Sequence, residues 1–309
     1  MNRPRIVVIG SLNMDIVFEC EQLASPGQTV LAERTSQLPG GKGANQAVAA
    51  AKAGGIVSMI GRVGEDAFGR QLVSNLTRYD INTDHVMLTA DHSSGTAAVM
   101  VDANGQNSIV VSAGANAQLT PDDLDAARHI IDQADILLLQ LEIPLVTVEY
   151  AIELAHHLQI PVMLDPAPVT AEALKYKLFD VDLICPNQTE AETLTGVPSG
   201  TKETAAIAAS ELVRLGAKTC LVTMSDKGTI LHDGTTSRFL ESHQVNAIDS
   251  TAAGDAFAGA FAVRFTETKC LTLATHFASA AGALSATKRG AQPSMPTRED
   301  ILAMSELKK

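Results

Sequence analysis

The segment D-S-T-A-A-G-D-A-F-A-G, residues 249–259, places small residues and a carboxylate at the start of a predicted helix. Phenylalanines recur every four residues from position 257, and Ala252, Ala253 and Gly254 would form the first turn of that helix. Backbone N–H groups in a first helical turn lack partners within the helix and can stabilise an anion. With Asp255 accepting a hydroxyl proton, the segment could transfer a phosphoryl group to a hydroxyl. The alternative is that Asp255 only complements the helix dipole.

A second segment, P-G-G-K-G-A-N-Q-A at residues 39–47, is rich in glycine. Its glycines let the backbone approach a ligand closely, and a helix that begins near Gly43 would direct free N–H groups at that ligand. The segment is not a P-loop, because Lys42 is followed by glycine instead of Ser or Thr. A plain turn could use one or two of these glycines, but with Asn45 behind them the segment is richer than a turn requires. No G-x-G-x-x-G follows a predicted strand, which removes the main argument for a dinucleotide dehydrogenase.

A third candidate is S-L-N-M-D, residues 11–15, directly after the first predicted strand. In an open α/β sheet, ligands bind outside the carboxyl ends of the strands, where Asn13 and Asp15 would lie. An amide and a carboxylate two residues apart can donate to and accept from adjacent hydroxyls. Asn and Asp also form turns after strands, so the pair predicts either hydroxyl ligands or a turn.

These candidates are connected by short apolar strands that alternate with helical segments. The clearest strands are residues 6–10, 136–140, 162–165, 183–185 and 221–224. One helix opens at Thr120 and Pro121, and another begins after Thr201 and stops at Gly216. The alternation predicts a doubly wound α/β fold, in which helices flank a mostly parallel sheet.

Two segments interrupt the alternation with hairpin signals. Residues 96–111 alternate around an Asn-Gly pair, and residues 229–240 alternate around an Asp-Gly pair. We expect the first hairpin to join residues 14–38 in a small antiparallel sheet that could cover a site as a lid, although an ordinary antiparallel edge of the main sheet is the alternative. The expected organisation is one α/β domain over residues 1–309, with a lid formed by about 14–38 and 94–111.

Composition restricts the class of protein. The chain has 309 residues, 46% of them hydrophobic and 19% charged, which is enough for a buried core. Its formal net charge of -12 argues against nucleic acid as a partner, because affinity for nucleic acid comes mainly from basic side chains on phosphates. The four cysteines form no C-x-x-C pair, and no apolar run approaches the roughly 20 residues that cross a bilayer. We therefore expect a cytoplasmic protein with neither a membrane nor a nucleic-acid partner.

Taken together with five other segments, the three motifs resemble one family, the ribokinase-like (pfkB) carbohydrate kinases. The other segments are I-G-R-V-G-E-D-A-F-G (60–69), S-A-G-A-N-A (112–117), Q-L-E-I-P (140–144), P-N-Q-T-E-A-E (186–192) and K-R-G-A-Q-P-S (288–294). The resemblance covers nearly the whole chain. It implies phosphoryl transfer from ATP to the 5-hydroxyl of D-ribose, with Mg²⁺ on the nucleotide, K⁺ as an activating cation, and a homodimer formed through the small sheet.

The resemblance also assigns residues to four functional groups. The sugar site comprises Asn13, Met14, Asp15, Gly41, Lys42, Gly43, Ala44, Asn45, Glu142 and Asp255. The nucleotide site comprises Asn187, Glu190, Thr223, Met224, Ser225, Asp226, Lys227, Gly228, Gly254, Asp255 and Ser279, and Glu190 also serves magnesium through water. The catalytic group comprises Asp255 as the base and an anion hole of Ala252, Ala253 and Gly254. The potassium site comprises Asp249, Thr251, Ser285, Lys288, Gly290 and Ser294.

Three positions depart from the family pattern. Ser225 stands where the family usually has glycine, Ser250 replaces the common threonine, and Ser279 stands where some members have a larger side chain near adenine. The substrate also stays open at this point. Another sugar, such as 2-deoxyribose or a hexose, could occupy the same site, and a non-catalytic sugar or nucleotide sensor is a different class of protein. A nucleoside kinase is disfavoured, because the candidate sugar residues are a dense set of hydroxyl partners. A bound base would call for an apolar or aromatic wall, and only 4% of the residues are aromatic.

Overall fold

Two β-sheets and ten helices make up the computed structural model, which describes residues 3–306. The strands are β1 (Arg5–Ile9), β2 (Asn13–Cys20), β3 (Ala32–Gly40), β4 (Ile56–Gly64), β5 (Asn82–Thr89), β6 (Gly95–Val101), β7 (Asn107–Ser112), β8 (Ile136–Leu139), β9 (Val162–Leu164), β10 (Leu183–Ile184), β11 (Thr219–Thr223), β12 (Gly228–His232) and β13 (Ser237–Glu241). The helices are α1 (Lys42–Ala53), α2 (Ala67–Thr77), α3 (Pro121–Ala126), α4 (Arg128–Ile131), α5 (Leu145–Leu158), α6 (Gln188–Thr195), α7 (Lys202–Arg214), α8 (Ala253–Thr268), α9 (Leu271–Ala286) and α10 (Arg298–Glu306). None of these helices is long and apolar enough to cross a membrane.

The central sheet has nine strands in the order β13-β12-β11-β10-β9-β8-β1-β4-β5. All neighbouring strands from β11 to β5 pair in parallel. The pairs β11–β12 and β12–β13, at one edge, are antiparallel. Its inner strands are buried on both faces, as the unbroken apolar runs predict. The predicted doubly wound α/β fold is therefore confirmed, and the hairpin of residues 229–240 lies at the edge of this sheet.

The second sheet has four strands in the order β3-β2-β6-β7 and stands apart from the central sheet. Its outer pairs, β2 with β3 and β6 with β7, are antiparallel as expected. The expectation of a wholly antiparallel sheet is wrong for the central pair, because β2 and β6 run parallel, with Asn13 opposite Gly95. The reason is topological. Both strands leave the carboxyl edge of the central sheet, β2 after β1 and β6 after β5, and so they start from the same side.

Helices cover both faces of the central sheet. One apolar core lies beneath α1, α2, α8, α9 and α10, and the other lies beneath α3 to α7. Helices α1 and α8 approach each other closely, because a Cβ built on Gly259 would lie 2.6 Å from the backbone oxygen of Gln46. Because Asp255 precedes Gly259 by one helical turn, this approach turns Asp255 toward α1.

Helix ends agree with the sequence in part. Thr201 caps α7, which ends just before Gly216, as predicted. The helix that opens at Thr120 is split at Ala127 into α3 and α4 instead of running on. The helix of the 249–259 segment starts one residue later than expected. Ala252 is its N-cap, with φ at +59°, and the first turn begins at Ala253.

Candidate active site

Polar side chains converge where the carboxyl ends of β1, β8 and β9 meet the amino ends of α1 and α8. Asn13 follows β1, Glu142 follows β8, and Asp165 follows β9. Helix α1 contributes Lys42, Asn45 and Gln46, and α8 contributes Asp255. This is the edge at which ligands bind in open α/β sheets. Two of the three candidate motifs thus meet around Asp255, and the third, at residues 11–15, adjoins them.

Glu142 connects residues 11–15 with the glycine-rich segment. Its Oε2 accepts hydrogen bonds from Ser11 Oγ at 2.5 Å, from the backbone N–H of Lys42 at 3.2 Å and from Asn13 Nδ2 at 3.3 Å. All three donors converge on one oxygen. The other carboxylate oxygen, Oε1, has no donor among residues 3–306 and remains available to a ligand hydroxyl.

Asn116 fixes the orientation of Asn13. Its Nδ2 donates to Asn13 Oδ1 at 2.8 Å and to the backbone oxygen of Leu12 at 3.1 Å, and its Oδ1 accepts from the N–H of Leu12. Since Asn13 Oδ1 is occupied, Asn13 Nδ2 must face Glu142. Asn116 lies in the segment 112–117, and no role for it was predicted from the sequence. Its only signal was an amide among small residues, which does not reveal complete burial.

Asp15 lies beside the turn at Gly40 and Gly41. A Cβ on Gly40 would lie 2.3 Å from Asp15 Oδ2, and Gly41 has φ at +90° with its Cβ position 2.7 Å from the backbone nitrogen of Asn13. Both positions therefore need glycine. Burial, followed by the nearby carboxylates of Glu142 and Asp255, raises the pKa of Asp15 to about 7. Near neutral pH this carboxyl can donate as well as accept. Met14 and Ala44, by contrast, pack into the apolar core.

Asp255 is only 5% exposed and is held by two amides from α1. Asn45 Nδ2 donates to its Oδ2 at 3.0 Å, and Gln46 Nε2 donates to its Oδ1 at 3.2 Å. Burial raises the pKa of Asp255 to about 6, although the positive charge of Lys42 opposes that rise. Asp255 is therefore mostly ionised at neutral pH and can accept a proton. Asn45 Oδ1 is buried without a partner among the described residues and is free for a ligand donor.

Lys42 begins α1 and faces Asp165 across the site. Its Nζ is 3.7 Å from Asp165 Oδ2. Burial alone would lower the pKa of Lys42, but four carboxylates around it raise the pKa well above its usual value and keep the side chain charged. The residues that share a cavity of about 60 Å³ with it are Asp165, Cys185, Asn187, Glu190, Thr223, Gly254 and Ala258. Lys42, which the resemblance assigns to the sugar site, thus also faces the residues assigned to the nucleotide.

Asn187 and Glu190 cap the start of α6. Asn187 Oδ1 accepts from the N–H of Glu190 at 2.9 Å, and Glu190 Oε2 accepts from the N–H of Asn187 at 2.8 Å. The loop from Thr223 to Gly228 lies alongside, because Thr223 pairs with Asn187 in an isolated bridge. Within that loop Ser225 has φ at +53°, the left-handed region that glycine adopts more easily. The positive φ at this position explains why the family usually has glycine there.

The remaining residues of the predicted nucleotide site differ in burial and position. Met224 is buried, whereas Asp226 and Lys227 are exposed. Ser279 lies half-buried on α9, one turn before Gly282, whose Cβ position is 3.0 Å from the backbone oxygen of Ala253. Ser279 therefore lies toward the start of α8, with no contact to the Thr223–Gly228 loop recorded among the described residues.

The start of α8 offers free backbone donors beside Asp255. Among residues 3–306, the N–H groups of Gly254 and Asp255 have no acceptor, whereas Ala253 donates to the backbone oxygen of Ser250 at 3.2 Å. A Cβ on Gly254 would meet nothing within 4 Å, so the space in front of these donors is open. Donors of this kind suit a phosphate at the positive end of a helix.

The residues assigned to potassium lie together, in the loop before α8, at the end of α9 and in the segment that follows α9. Asp249 accepts from the N–H of Thr251 at 2.9 Å and from the N–H of Gly290 at 2.8 Å. The hydroxyls of Ser285 and Ser294 are 2.7 Å apart, and the N–H of Lys288 donates to the backbone oxygen of Ser285. This group lies directly before the donors of α8. Any cation held there would act on the start of that helix.

The donor set suits magnesium held through phosphates and water. In the described part of the chain, no three His, Cys, Asp or Glu side chains are placed to hold a metal ion by themselves. Mg²⁺ commonly keeps several waters and uses one or two carboxylates together with substrate phosphates. Glu190, at the rim of the cavity with Lys42, fits that mode of binding.

Comparison with known proteins gives consistent similarities over nearly the full length of the chain. Residues 3–298 match the pfkB family carbohydrate kinase. The chain is 39% identical to the ribokinase of Haemophilus influenzae, covering 98% of this chain and 99% of the relative. It is 38% identical to the deoxyribokinase of Salmonella typhi, covering 96% and 97%. Among solved structures, Arabidopsis thaliana ribokinase complexed with ribose and ATP superposes with a TM-score of 0.89, at 36% identity and 99% coverage of both chains.

Proposed function

The chain belongs to the pfkB family of carbohydrate kinases, and from that premise we propose that it transfers the γ-phosphoryl group of ATP to O5 of D-ribose. The products are D-ribose 5-phosphate and ADP. The observation that carries the proposal is the position of Asp255, a buried carboxylate fixed by two amides beside the open donors of α8. Relatives named ribokinase, including one solved with ribose and ATP, support the choice of substrates.

The sugar end of the site presents mostly acceptors to a polyhydroxylated ligand. Glu142 Oε1 and Asn45 Oδ1 lack protein donors in the described residues, and Asp15 lies near them with a pKa close to neutral. Each can bind a ribose hydroxyl. A buried acceptor left unpaired costs about 1 to 3 kcal/mol, so a sugar that lacks one of these hydroxyls should be used about 10- to 100-fold less well.

The transfer step follows from the positions of Asp255, Lys42 and the start of α8. As O5 forms a bond to the γ-phosphorus, Asp255 accepts the hydroxyl proton, and the bond to the β–γ bridging oxygen breaks so that ADP departs. Lys42 and the N–H groups of Gly254 and Asp255 stabilise the charge on the transferred group. A base of this kind contributes typically about 10²- to 10⁴-fold to the rate.

Two ions complete the proposal. Asn187 and Glu190 would hold magnesium through water, and magnesium would neutralise charge on the nucleotide phosphates. The group formed by Asp249, Thr251, Ser285, Lys288, Gly290 and Ser294 would bind potassium and order the start of α8. The loop Thr223–Gly228 and Ser279 would bind the rest of the nucleotide.

We further propose that the four-stranded sheet acts as a lid on a single α/β domain. Strands β2 and β6 begin at Asn13 and Gly95, so one end of the sheet lies at the proposed sugar site. Its strand β7 exposes Ile109, Val110 and Val111, an apolar stripe that a second copy of the chain would cover in a homodimer. The protein would work in the cytoplasm, a setting that suits its four free cysteines.

A second candidate substrate is 2-deoxyribose, because a relative named deoxyribokinase is nearly as similar as the ribokinases. The deciding experiment measures ADP release from ATP and Mg²⁺ with D-ribose, 2-deoxyribose or fructose, in potassium or in sodium. We expect ribose to give the highest kcat/KM and potassium to raise it. A higher kcat/KM with 2-deoxyribose would make 2-deoxyribose, instead of D-ribose, the substrate. Sugar binding without any turnover would favour a sensor.

A further inference from the structure

Gln46 is a buried side chain in the glycine-rich segment to which the family resemblance assigns no role. It is 1% exposed and lies on α1, directly after Asn45. Its Nε2 donates to Asp165 Oδ2 at 2.8 Å and to Asp255 Oδ1 at 3.2 Å. One amide nitrogen thus bridges two buried carboxylates, one of which is the proposed base.

The orientation of this amide follows from its partners. An ionised carboxylate only accepts hydrogen bonds, so the nitrogen of Gln46 must face Asp165 and Asp255. Its Oε1 is then left to accept, and it does so from Gln140 Nε2 at 2.6 Å. Both amide hydrogens and the oxygen of Gln46 form hydrogen bonds, and only one orientation of the amide allows all three.

Gln140 is itself confined at the end of β8. It is fully buried, and a Cβ built on Gly10 would lie 2.0 Å from its Oε1. The space that Gln140 occupies therefore exists because residue 10 is glycine. This arrangement forms a chain of contacts from the central sheet through Gln140 and Gln46 to Asp255.

We propose that Gln46, oriented by Gln140, is a positioning residue that holds the carboxylate of Asp255 toward the acceptor hydroxyl. The proposal rests on the proposed function, since it concerns the base of that reaction. Asn45 already holds Oδ2, and a carboxylate held at only one oxygen can turn about its Cβ–Cγ bond. The bond from Gln46 to Oδ1 fixes the plane of the carboxylate.

Gln46 also favours the ionised form of the base. The charged and titratable groups around Asp255 are Lys42 of α1, Asp165 after β9, Asp15 of β2 and Glu142 after β8. Lys42 lowers the pKa of Asp255, Asp165 raises it, and the hydrogen bonds from Asn45 and Gln46 lower it. Removing the Gln46 donor therefore raises the pKa of Asp255, provided that the other groups stay in place.

The test uses Gln46→Met, which keeps the approximate size of the side chain and removes its donors and acceptor. We expect kcat to fall about 10- to 100-fold, because displacement of a reacting group by about 1 Å can cost about 10²-fold. The KM for ribose should change less than kcat. The acidic limb of the pH profile of kcat should move up by about one pH unit, the equivalent of one hydrogen bond to a charged group.

Gln140→Met is the matched second variant, because it leaves Gln46 in place and removes only the donor that orients it. We expect a smaller loss of kcat and a shift of the acidic limb in the same direction. Thermal unfolding of both variants identifies any loss of folded protein. If both variants keep kcat within about twofold of the parent enzyme, the proposal is wrong.

A double-mutant cycle with Asp255→Asn separates positioning from general damage. If Gln46 acts through Asp255, Gln46→Met should hardly change the residual turnover of Asp255→Asn. An equal fold-loss in both backgrounds would overturn the proposal. The carboxyl pKa of Asp255, measured by NMR with and without Gln46→Met, does not depend on turnover. A raised pKa would support the Gln46 contact even if ribose proves not to be the substrate, and an unchanged pKa would contradict it.

Discussion

Gly259→Ala is a substitution outside the proposed contacts with substrate that should impair turnover through helix packing. Gly259 lies on α8 where that helix touches α1. A Cβ at this position would lie 2.6 Å from Ala49 Cβ, 2.6 Å from the backbone oxygen of Gln46 and 2.7 Å from the backbone nitrogen of Ala50. All three atoms belong to α1, and two of them are backbone atoms. The strain therefore moves a helix instead of a flexible side chain.

The size of the effect follows from these distances. Carbon and polar atoms pack at about 3.5 Å or more, so α1 and α8 must separate by close to 1 Å. Overpacking of this kind costs about 1 to 3 kcal/mol, while replacing glycine by alanine in a helix returns about 1 kcal/mol. We expect a net loss of stability of about 0 to 2 kcal/mol. The same displacement separates Asn45 and Gln46 from Asp255, and kcat should fall about 10²-fold.

The assay is steady-state ADP release, with stability measured in parallel by urea unfolding. Gly200→Ala is the control, because a Cβ there meets nothing within 4 Å and the backbone φ is not positive. We expect Gly200→Ala to leave kcat unchanged. If Gly259→Ala also left kcat unchanged, contact between α1 and α8 would not be what positions the base. A fall in kcat that only follows the fraction of unfolded protein would contradict the reasoning equally.

Three further predictions follow from single contacts. Asn116→Leu removes the amide that donates to Asn13 and to the Leu12 oxygen and accepts from the Leu12 N–H. It should raise the KM for ribose about tenfold or more and leave the KM for ATP unchanged in steady-state assays, and equal increases in both would refute this. Ala252→Gly relieves a positive φ of 59°, which costs an L-residue about 1 to 2 kcal/mol. After the entropic cost of glycine it should raise Tm by about 1 to 2 °C, and a lower Tm would count against strain at this cap. Because Asp255 accepts a proton only when ionised and its pKa is raised to about 6, kcat should fall as the pH drops through about 6, and a flat profile from pH 5 to 8 would exclude it as the base.

The layered fold was predictable because its signals are local. Unbroken apolar runs identified the buried parallel strands, and Thr201 and Gly216 marked both ends of a helix. The parallel pairing of β2 with β6 could not be read in the same way. It depends on which edge of the central sheet each strand leaves, and no residue in either strand encodes that. The break at Ala127 was missed because the apolar spacing continues through it.

The candidate site was predictable where a motif needs particular residue types. Glycine at positions 40 and 41 is required by contacts closer than 3 Å, and the segment around Asp255 needs small residues at the start of a helix. Asn116, Gln46 and Gln140 were given no role. Their amides act on other protein groups, and such partners lie 94 to 209 residues apart in the sequence. Only the folded chain shows that they meet.

The most direct test of the account is the turnover of Asp255→Asn with ribose, together with ribose binding measured by calorimetry. Asparagine keeps the size of the side chain and cannot accept the hydroxyl proton as a carboxylate does. The account predicts that kcat falls about 10²-fold or more while the Kd for ribose changes by less than about threefold. Turnover close to that of the parent enzyme, with ribose still bound, would contradict the role of Asp255 as the base.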